Sequence, residues 1–303
     1  MKTVSQIGEV GVIARLSRQL HRSPSVAAGI GDDAAVVSPP RAGGQLLLAS
    51  DMLVEGVHFR RRDTAARAIG WKALACNISD IAAMGGTPLW AVVSLGLPRA
   101  TPLEFVDGLY AGLERCARRF AMAIVGGDTV RAPQVIVDVA IVGAVPSGRA
   151  VLRSGARPGD LLCVTGRLGG SYVSGRHATF TPRVREAHAL LRRLQLHAMM
   201  DLSDGLASDL WQISRASHAV LRVDASRIPI SRSGKTLQHA LMDGEDFELL
   251  FAISPADRSK LPRAVGACPV TQIGTVIRRG LGVELQHADG RISPVMPRGF
   301  KHF

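Results

Sequence analysis

Gly29-Ile30-Gly31-Asp32-Asp33-Ala34-Ala35 sets two adjacent carboxylates among glycines and alanines. Such a pair suits neither a core nor an ordinary solvated face, so it reads as a cation site. Working outward, three later segments also bring an acid to the end of an apolar run: Ala49-Ser50-Asp51, Gly126-Gly127-Asp128-Thr129 and Met200-Asp201-Leu202-Ser203-Asp204-Gly205. Acids just past the carboxyl ends of buried strands are where α/β proteins build their sites.

The segments between these acids alternate in period. Residues 7–20 carry Ile7, Val10, Ile13, Leu16 and Leu20 at helical spacing, which predicts an amphipathic helix. Residues 45–49 form a short apolar strand that ends at Ser50 and Asp51. A helix follows from the cap Asp63 or Thr64 to about residue 84, stopped by Gly85, Gly86 and Pro88. On it Lys72, Cys76 and Asp80 recur at i, i+4 with Asn77 alongside, so one stripe holds the polar groups. Strands are expected at 90–97, 121–125 and 134–145, with a helix at 102–120. The second half restarts with a strand at 161–165 and a glycine-rich turn at 166–171. A strand at 198–201 leads to a helix capped by Ser203 or Asp204 and ending near residue 217. Mixed strands and helices give an α/β or α+β fold. Glycine, proline, serine and arginine cluster over 146–160, which predicts domains at 1–147 and 148–303.

Composition narrows the class. The 303 residues are 47% hydrophobic, enough for sizeable cores, and no apolar run approaches the roughly 18 residues of a membrane span. The start of the chain lacks a signal-peptide pattern, so the cytoplasm is the expected compartment. Cys76, Cys116, Cys163 and Cys268 sit singly in apolar stretches, as small buried hydrophobes do. A net charge of +12 is dispersed over arginines, with Arg60-Arg61-Arg62 the longest run and little aromatic interleaving, which speaks against nucleic acid and favours anionic substrates.

Acids flanked by Ser50, Thr129 and Ser203 form a hard oxygen donor set of the kind that suits Mg²⁺ shared with phosphates. Carboxylates and phosphates approach each other only through cations, so several divalent ions are implied. A carboxylate pair for glycoside hydrolysis competes with this reading, but the aromatic sugar platforms it uses are scarce here.

In this order, Gly29 to Ala35, Asp51-Met52-Leu53-Val54-Glu55-Gly56-Val57-His58-Phe59, Asn77-Ile78-Ser79-Asp80-Ile81-Ala82-Ala83-Met84-Gly85, Gly126-Gly127-Asp128-Thr129, Asp201-Leu202-Ser203-Asp204-Gly205-Leu206 and Gly244-Glu245-Asp246-Phe247-Glu248-Leu249 resemble the motifs of the thiamine-monophosphate kinase family. The resemblance covers nearly the whole chain. It implies the two-domain fold of the aminoimidazole ribonucleotide synthetase superfamily. An N-terminal mixed sheet would join a barrel across a homodimer, a C-terminal α/β domain would follow, and ATP would lie in a cleft bordered by both. It also implies ATP-dependent phosphorylation of thiamine monophosphate to thiamine diphosphate. Carried over by motif, Asp33, Ser50, Asp51, Asp80, Asp128, Asp201 and Asp204 would hold Mg²⁺; of the first acid pair Asp33 is the stronger ligand candidate, and Asp32 is either a weaker ligand or the residue that holds the turn. Gly127, Asp128, Arg153 and Ser203 would touch the nucleotide, with Tyr110 a looser adenine contact. His58, Glu245 or Asp246, and Phe300 would meet the substrate. No general base is expected, because the acceptor phosphate is already largely dianionic with a second pKa of about 6. The sister aminoimidazole ribonucleotide synthetase activity and a non-catalytic nucleotide-binding homologue are the alternatives. Departures from the family pattern are Ala49 before Ser50, Asp243 in place of glycine, Phe247 and Phe300 in place of tyrosines, and Gly170 where an aspartate is common.

Overall fold

The computed structural model describes residues 44–299, together with residues 3, 6, 15, 16 and 18–20 and the backbone of 26–28 and 36–37. The chain divides into two compact units, Met1–Ile81 with Thr87–Gly148, and Ala82–Gly86 with Arg149–Phe303.

In the first unit β1 (Val26–Ala28) pairs with β2 (Val36–Val37). They bracket the Gly29–Ala35 stretch, which lies outside the described residues. The helix expected over residues 7–20 falls largely outside them too, although Arg15 and Leu16 are helical and Arg15 pairs with Asp107. Then come β3 (Gly44–Val54), α1 (Ala66–Ala83), β4 (Thr87–Leu97), α2 (Leu103–Arg119), β5 (Ala123–Arg131) and β6 (Ile136–Pro146). The last four strands form a sheet in the order β3-β6-β4-β5, with only β4 and β5 parallel. Alternation divides each strand between two faces. Leu47 and Leu53 of β3, Val137, Val139 and Ile141 of β6, and Val93 and Leu95 of β4 are buried on one face. Leu46, Leu48 and Met52 stand exposed on the other.

α1 lies on the buried face, where a side chain at Gly143 of β6 would collide with Ile81 at 2.6 Å. This helix is apolar nearly all round and buried from Lys72 to Ser79, so it needs a second neighbour. α2 supplies it through an amphipathic stripe of Val106, Leu109, Leu113 and Cys116. Glu104 in its first turn and Arg118 and Arg119 in its last complement the helix dipole. The two backbones approach closely. A Cβ at Gly70 would lie 1.8 Å from the Leu109 carbonyl oxygen, and one at Gly112 would lie 2.0 Å from that of Arg67.

The second unit contains β7 (Leu161–Thr165), α3 (Val184–Leu191), β8 (Leu196–Asp201), α4 (Leu206–Ser217), β9 (Ala219–Asp224), α5 (Leu237–Met242), β10 (Leu249–Ile253), β11 (Ala264–Val265), β12 (Cys268–Arg279), β13 (Gly282–Gln286) and β14 (Ile292–Pro294). The sheet order is β14-β13-β9-β12-β7-β10-β8, with β11 on β12 and only β13 and β9 parallel. β7 and β10 are buried at every position, which explains their unbroken apolar sequence. One face packs Leu206, Leu210 and Ile213 of α4 over Leu162, Val164 and Met200. The other packs Ala187 and Leu190 of α3 over Leu161, Cys163 and Phe251. All four cysteines are buried and free, as expected.

Three expectations change. β3 runs on to Val54, so Ser50 and Asp51 lie inside a strand; the eleven-residue β6 offers a pairing partner at every position, and backbone ladders tolerate polar side chains. β5 likewise runs through Gly126-Gly127-Asp128-Thr129 beside β4. The N-cap of α4 is Gly205, with φ 103° and no side-chain cap, so neither Ser203 nor Asp204 caps it. Gly112→Ala should lower the unfolding free energy by about 2 kcal/mol, despite alanine's better helix propensity, because two backbones must separate. Urea denaturation measures the change.

Candidate functional site

Adjacent strand residues face opposite ways, and this sorts the acids of the first unit. Asp51 lies opposite Val139 of β6, which is opposite Val93 of β4, so Asp51 belongs to the helix-covered face. Met52, Asp138, Ser94 and Asp128 form one row across all four strands on the exposed face. Ser50 shares that face and donates to Asp138 Oδ1 at 3.1 Å. Asp128 Oδ1 accepts from the Thr129 amide at 2.8 Å. Asp80 is half-buried near the end of α1. One turn before it, Asn77 donates to the Ala73 carbonyl while its Oδ1 is buried with no partner. Gly127 admits no side chain, since a Cβ would lie 1.8 Å from the Val93 carbonyl oxygen. Tyr110 is packed in the buried face of α2, and burial raises its phenol pKa. Asp33 and Phe300 lie outside the described residues.

The segment after β3 is a compact loop. Gly56 N–H donates to the Phe59 carbonyl at 2.8 Å and His58 N–H to that of Val54 at 2.9 Å. Glu55 accepts from the Val135 amide and from Arg61, whose guanidinium lies over the Phe105 ring. The Val54 amide donates to His58 Nδ1 at 3.0 Å, which puts the ring proton of the neutral imidazole on Nε2. An open cavity of about 460 Å³ lined by Glu55, Gly56, Arg60, Arg61 and Arg62 adjoins this loop.

In the second unit Asp201 ends β8 and is buried, while Ser203 and Asp204 are half-buried in the turn before α4. Asp209, in the first turn of α4, is 1% exposed and neither of its oxygens has a hydrogen-bond partner. Burial, then the charges of Asp201 and Asp204, push its carboxyl well above the ordinary range; the approach of the Asp204 amide, outside hydrogen-bond geometry, and the charge of Arg153 partly offset them. The chain also returns here at its end, for a Cβ on Gly299 would lie 2.1 Å from the Asp204 carbonyl oxygen. Asp138 and Asp209 were missed in the sequence, although each is a single acid set in an apolar strand or helix.

Gly244-Glu245-Asp246-Phe247-Glu248 is a strained stretch, with Glu245 at φ 52° and Phe247 at φ 48°. An ionic network holds it. Arg183 grips both oxygens of Glu248 at 2.7 and 2.5 Å, Thr165 donates to Glu248 at 2.8 Å, and Arg176 spans Glu248 and Asp246. The Gly169 amide donates to Asp246, whose pKa burial pushes up to about 7 against the pull of that amide and Arg176. Asp246 is therefore fully engaged inside the unit, and Glu245 is the more open of the two expected substrate contacts. The Phe247 ring stacks on Phe180 at 3.9 Å. Two departures from the family pattern also meet: the Gly170 amide donates to Asp243 at 2.7 Å.

Among the described residues no three His, Cys, Asp or Glu side chains form a ready-made metal cage. Mg²⁺ needs none, being held by one or two carboxylates with waters and phosphate oxygens. In each unit the all-oxygen donors fit such an ion, as does the orphaned buried oxygen of Asn77 in the first and the carboxyl of Asp209 in the second.

Two family models match, the AIR synthase related protein N-terminal domain over residues 31–145 and the C-terminal domain over residues 157–286. Together with the two sheets they define an AIR synthase-related protein. A thiamine-monophosphate kinase of Rhodopirellula baltica is 37% identical over 311 residues, 97% of each chain. The crystal structure of thiamine-monophosphate kinase from Stenotrophomonas maltophilia K279a superposes with a TM-score of 0.78 at 33% identity, covering 93% of this chain and 95% of that one. AaThiL complexed with AMPPCP and TMP gives 0.77 at 30% identity over 100% and 99% of the two chains. The chain belongs to the thiamine-monophosphate kinase family.

Replacing Arg183 by Met should destabilise the protein by about 3 kcal/mol or more, because Glu248 is 1% exposed and would lose its bidentate partner. Thermal and denaturant unfolding of the variant test this.

Proposed function

We propose that this protein is an ATP-dependent kinase that converts thiamine monophosphate to thiamine diphosphate in the cytoplasm. The observation that carries the reading is its likeness over the full chain to AaThiL, which is complexed with AMPPCP and TMP. The six ordered motifs support it independently.

In the proposed reaction a phosphate oxygen of thiamine monophosphate attacks the γ-phosphorus of ATP in line. A new P–O bond forms, the bond to the β,γ-bridging oxygen breaks, and ADP leaves with that electron pair. Asp33, Ser50, Asp51, Asp80 and Asp128 of the first unit and Asp201 and Asp204 of the second would hold Mg²⁺. When bound, these ions, several in number, would neutralise phosphate charge. The Gly127 backbone, Asp128, Arg153, Ser203 and, less directly, Tyr110 would hold and orient the nucleotide. His58, with its ring proton on Nε2, offers a hydrogen bond to an anionic substrate, and Phe300 and Glu245, rather than the fully engaged Asp246, complete the substrate contacts. No side chain need remove a proton, since the acceptor is largely dianionic near neutral pH. Positioning and charge neutralisation account for the rate in such transfers.

We also propose that the protein works as a homodimer through the exposed face of the first sheet. Leu46, Leu48 and Met52 are 50%, 78% and 51% exposed, and Val92 adjoins them across β6. A patch of this kind on a regular sheet marks a contact surface.

Purified protein with ATP, Mg²⁺ and thiamine monophosphate should yield thiamine diphosphate and ADP, read by chromatography; absence of both products overturns the kinase reading. Asp51→Asn should lower kcat at least 100-fold with an unchanged melting profile, a loss on the scale of a missing transition-state contact. Leu48→Glu should shift the sedimentation coefficient from dimer to monomer.

A further inference from the structure

Lys72 is 1% exposed and opens the stretch of α1, up to Ser79, that is buried all round. A lysine there is costly to bury, and the helix has no need of one to pack. Its ammonium donates to the main-chain carbonyl of His58 at 3.0 Å, across fourteen residues of sequence. The same residue's amide is tied to the Val54 carbonyl and its ring Nδ1 to the Val54 amide. Both peptide groups and the ring of His58 are thus fixed, and the charge-assisted bond from Lys72 ties them to a helix. Lys72 and Asp80 are two i, i+4 steps apart, so one rigid helix sets the height of both the loop and the acid.

We infer that Lys72 is a positioning residue: it locks the loop 54–59 so that His58 presents its Nε2–H to the phosphorylated substrate, in register with Asp80. This rests on the proposal that His58 contacts that substrate. Lys72 touches no reacting atom, and its effect is on where the acceptor sits. Removing its bond should weaken substrate capture and leave nucleotide binding alone.

The test compares wild type with Lys72→Met, which keeps the length of the stem, and Lys72→Arg, which keeps the donor. Lys72→Met should raise KM for thiamine monophosphate about tenfold or more, leave KM for ATP within twofold, and Lys72→Arg should recover part of the loss. Independently of turnover, nitrogen-15 NMR of the His58 ring, identified by its absence in His58→Gln, should show the Nε2–H tautomer in wild type and a tautomer mixture in Lys72→Met. An unchanged ring signal, or equal changes in both KM values, overturns the inference. If wild type makes no thiamine diphosphate, the kinase reading fails while the ring signal still decides whether Lys72 positions His58. Should Lys72→Met fail to fold, Lys72→Gln, with a shorter donor, carries the same measurements.

Discussion

The contact of α1 with α2 is made backbone to backbone, and the chemistry-bearing part of the first unit follows from it. Gly70 and Gly112 let the two helices approach until a methyl group on either would sit within 2.0 Å of a carbonyl oxygen. With α2 that close on one side and the sheet on the other, α1 has no solvent face left between Lys72 and Ser79. Its polar residues must then find partners inside the protein or be retained for a ligand. Lys72 finds the His58 carbonyl, while Asn77 Oδ1 finds nothing. Asp80, the residue after the buried stretch, is the acid that the helix can present.

The second unit solves a different problem, that of holding a strained turn. Positive φ at Glu245 and Phe247 costs of order 1 kcal/mol or more each, and persists only where the surroundings over-determine it. Here Arg176 and Arg183 on one side, and the amides of Gly169 and Gly170 on the other, fasten the acids that flank those residues. The segment with Gly170 and Arg176, which departs from the family pattern, is therefore bound to the very motif that keeps to it. Asp243 takes the place of a glycine and its carboxylate receives the Gly170 amide, where the family more often has an aspartate on the Gly170 side. The two changes exchange the position of a carboxylate across one contact.

Much of this was legible in the sequence because periodicity reports burial. The apolar run of β7 gave the right element in the right place, and α2 falls within the helix expected at 102–120. Strand ends were less legible. Ser50-Asp51 and Gly126-Gly127-Asp128-Thr129 look like loop, yet the pairing partner β6 or β4 continues past them, and a ladder needs backbone groups only. Misplaced ends hid which face each acid takes, so the row Met52, Asp138, Ser94 and Asp128 could not be foreseen. The cap of α4 was misread for a related reason: Ser203 and Asp204 have the right chemistry, but the helix begins after Gly205, whose φ of 103° suits glycine, so the cap position falls beyond both.

That misreading bears on what the acids are for. Asp201, Asp204 and Asp209 crowd the start of α4, with Asp209 buried and the charge of Arg153 opposing theirs. Three carboxyls so placed repel one another, and this arrangement raises the free energy of the folded chain. An apolar residue at position 209 would remove much of that cost. Local conflict of this kind persists where a function requires it, and a bound cation is the one partner that converts the repulsion into attraction. The acids of this turn thus cost stability, a cost that the proposed Mg²⁺ site would offset.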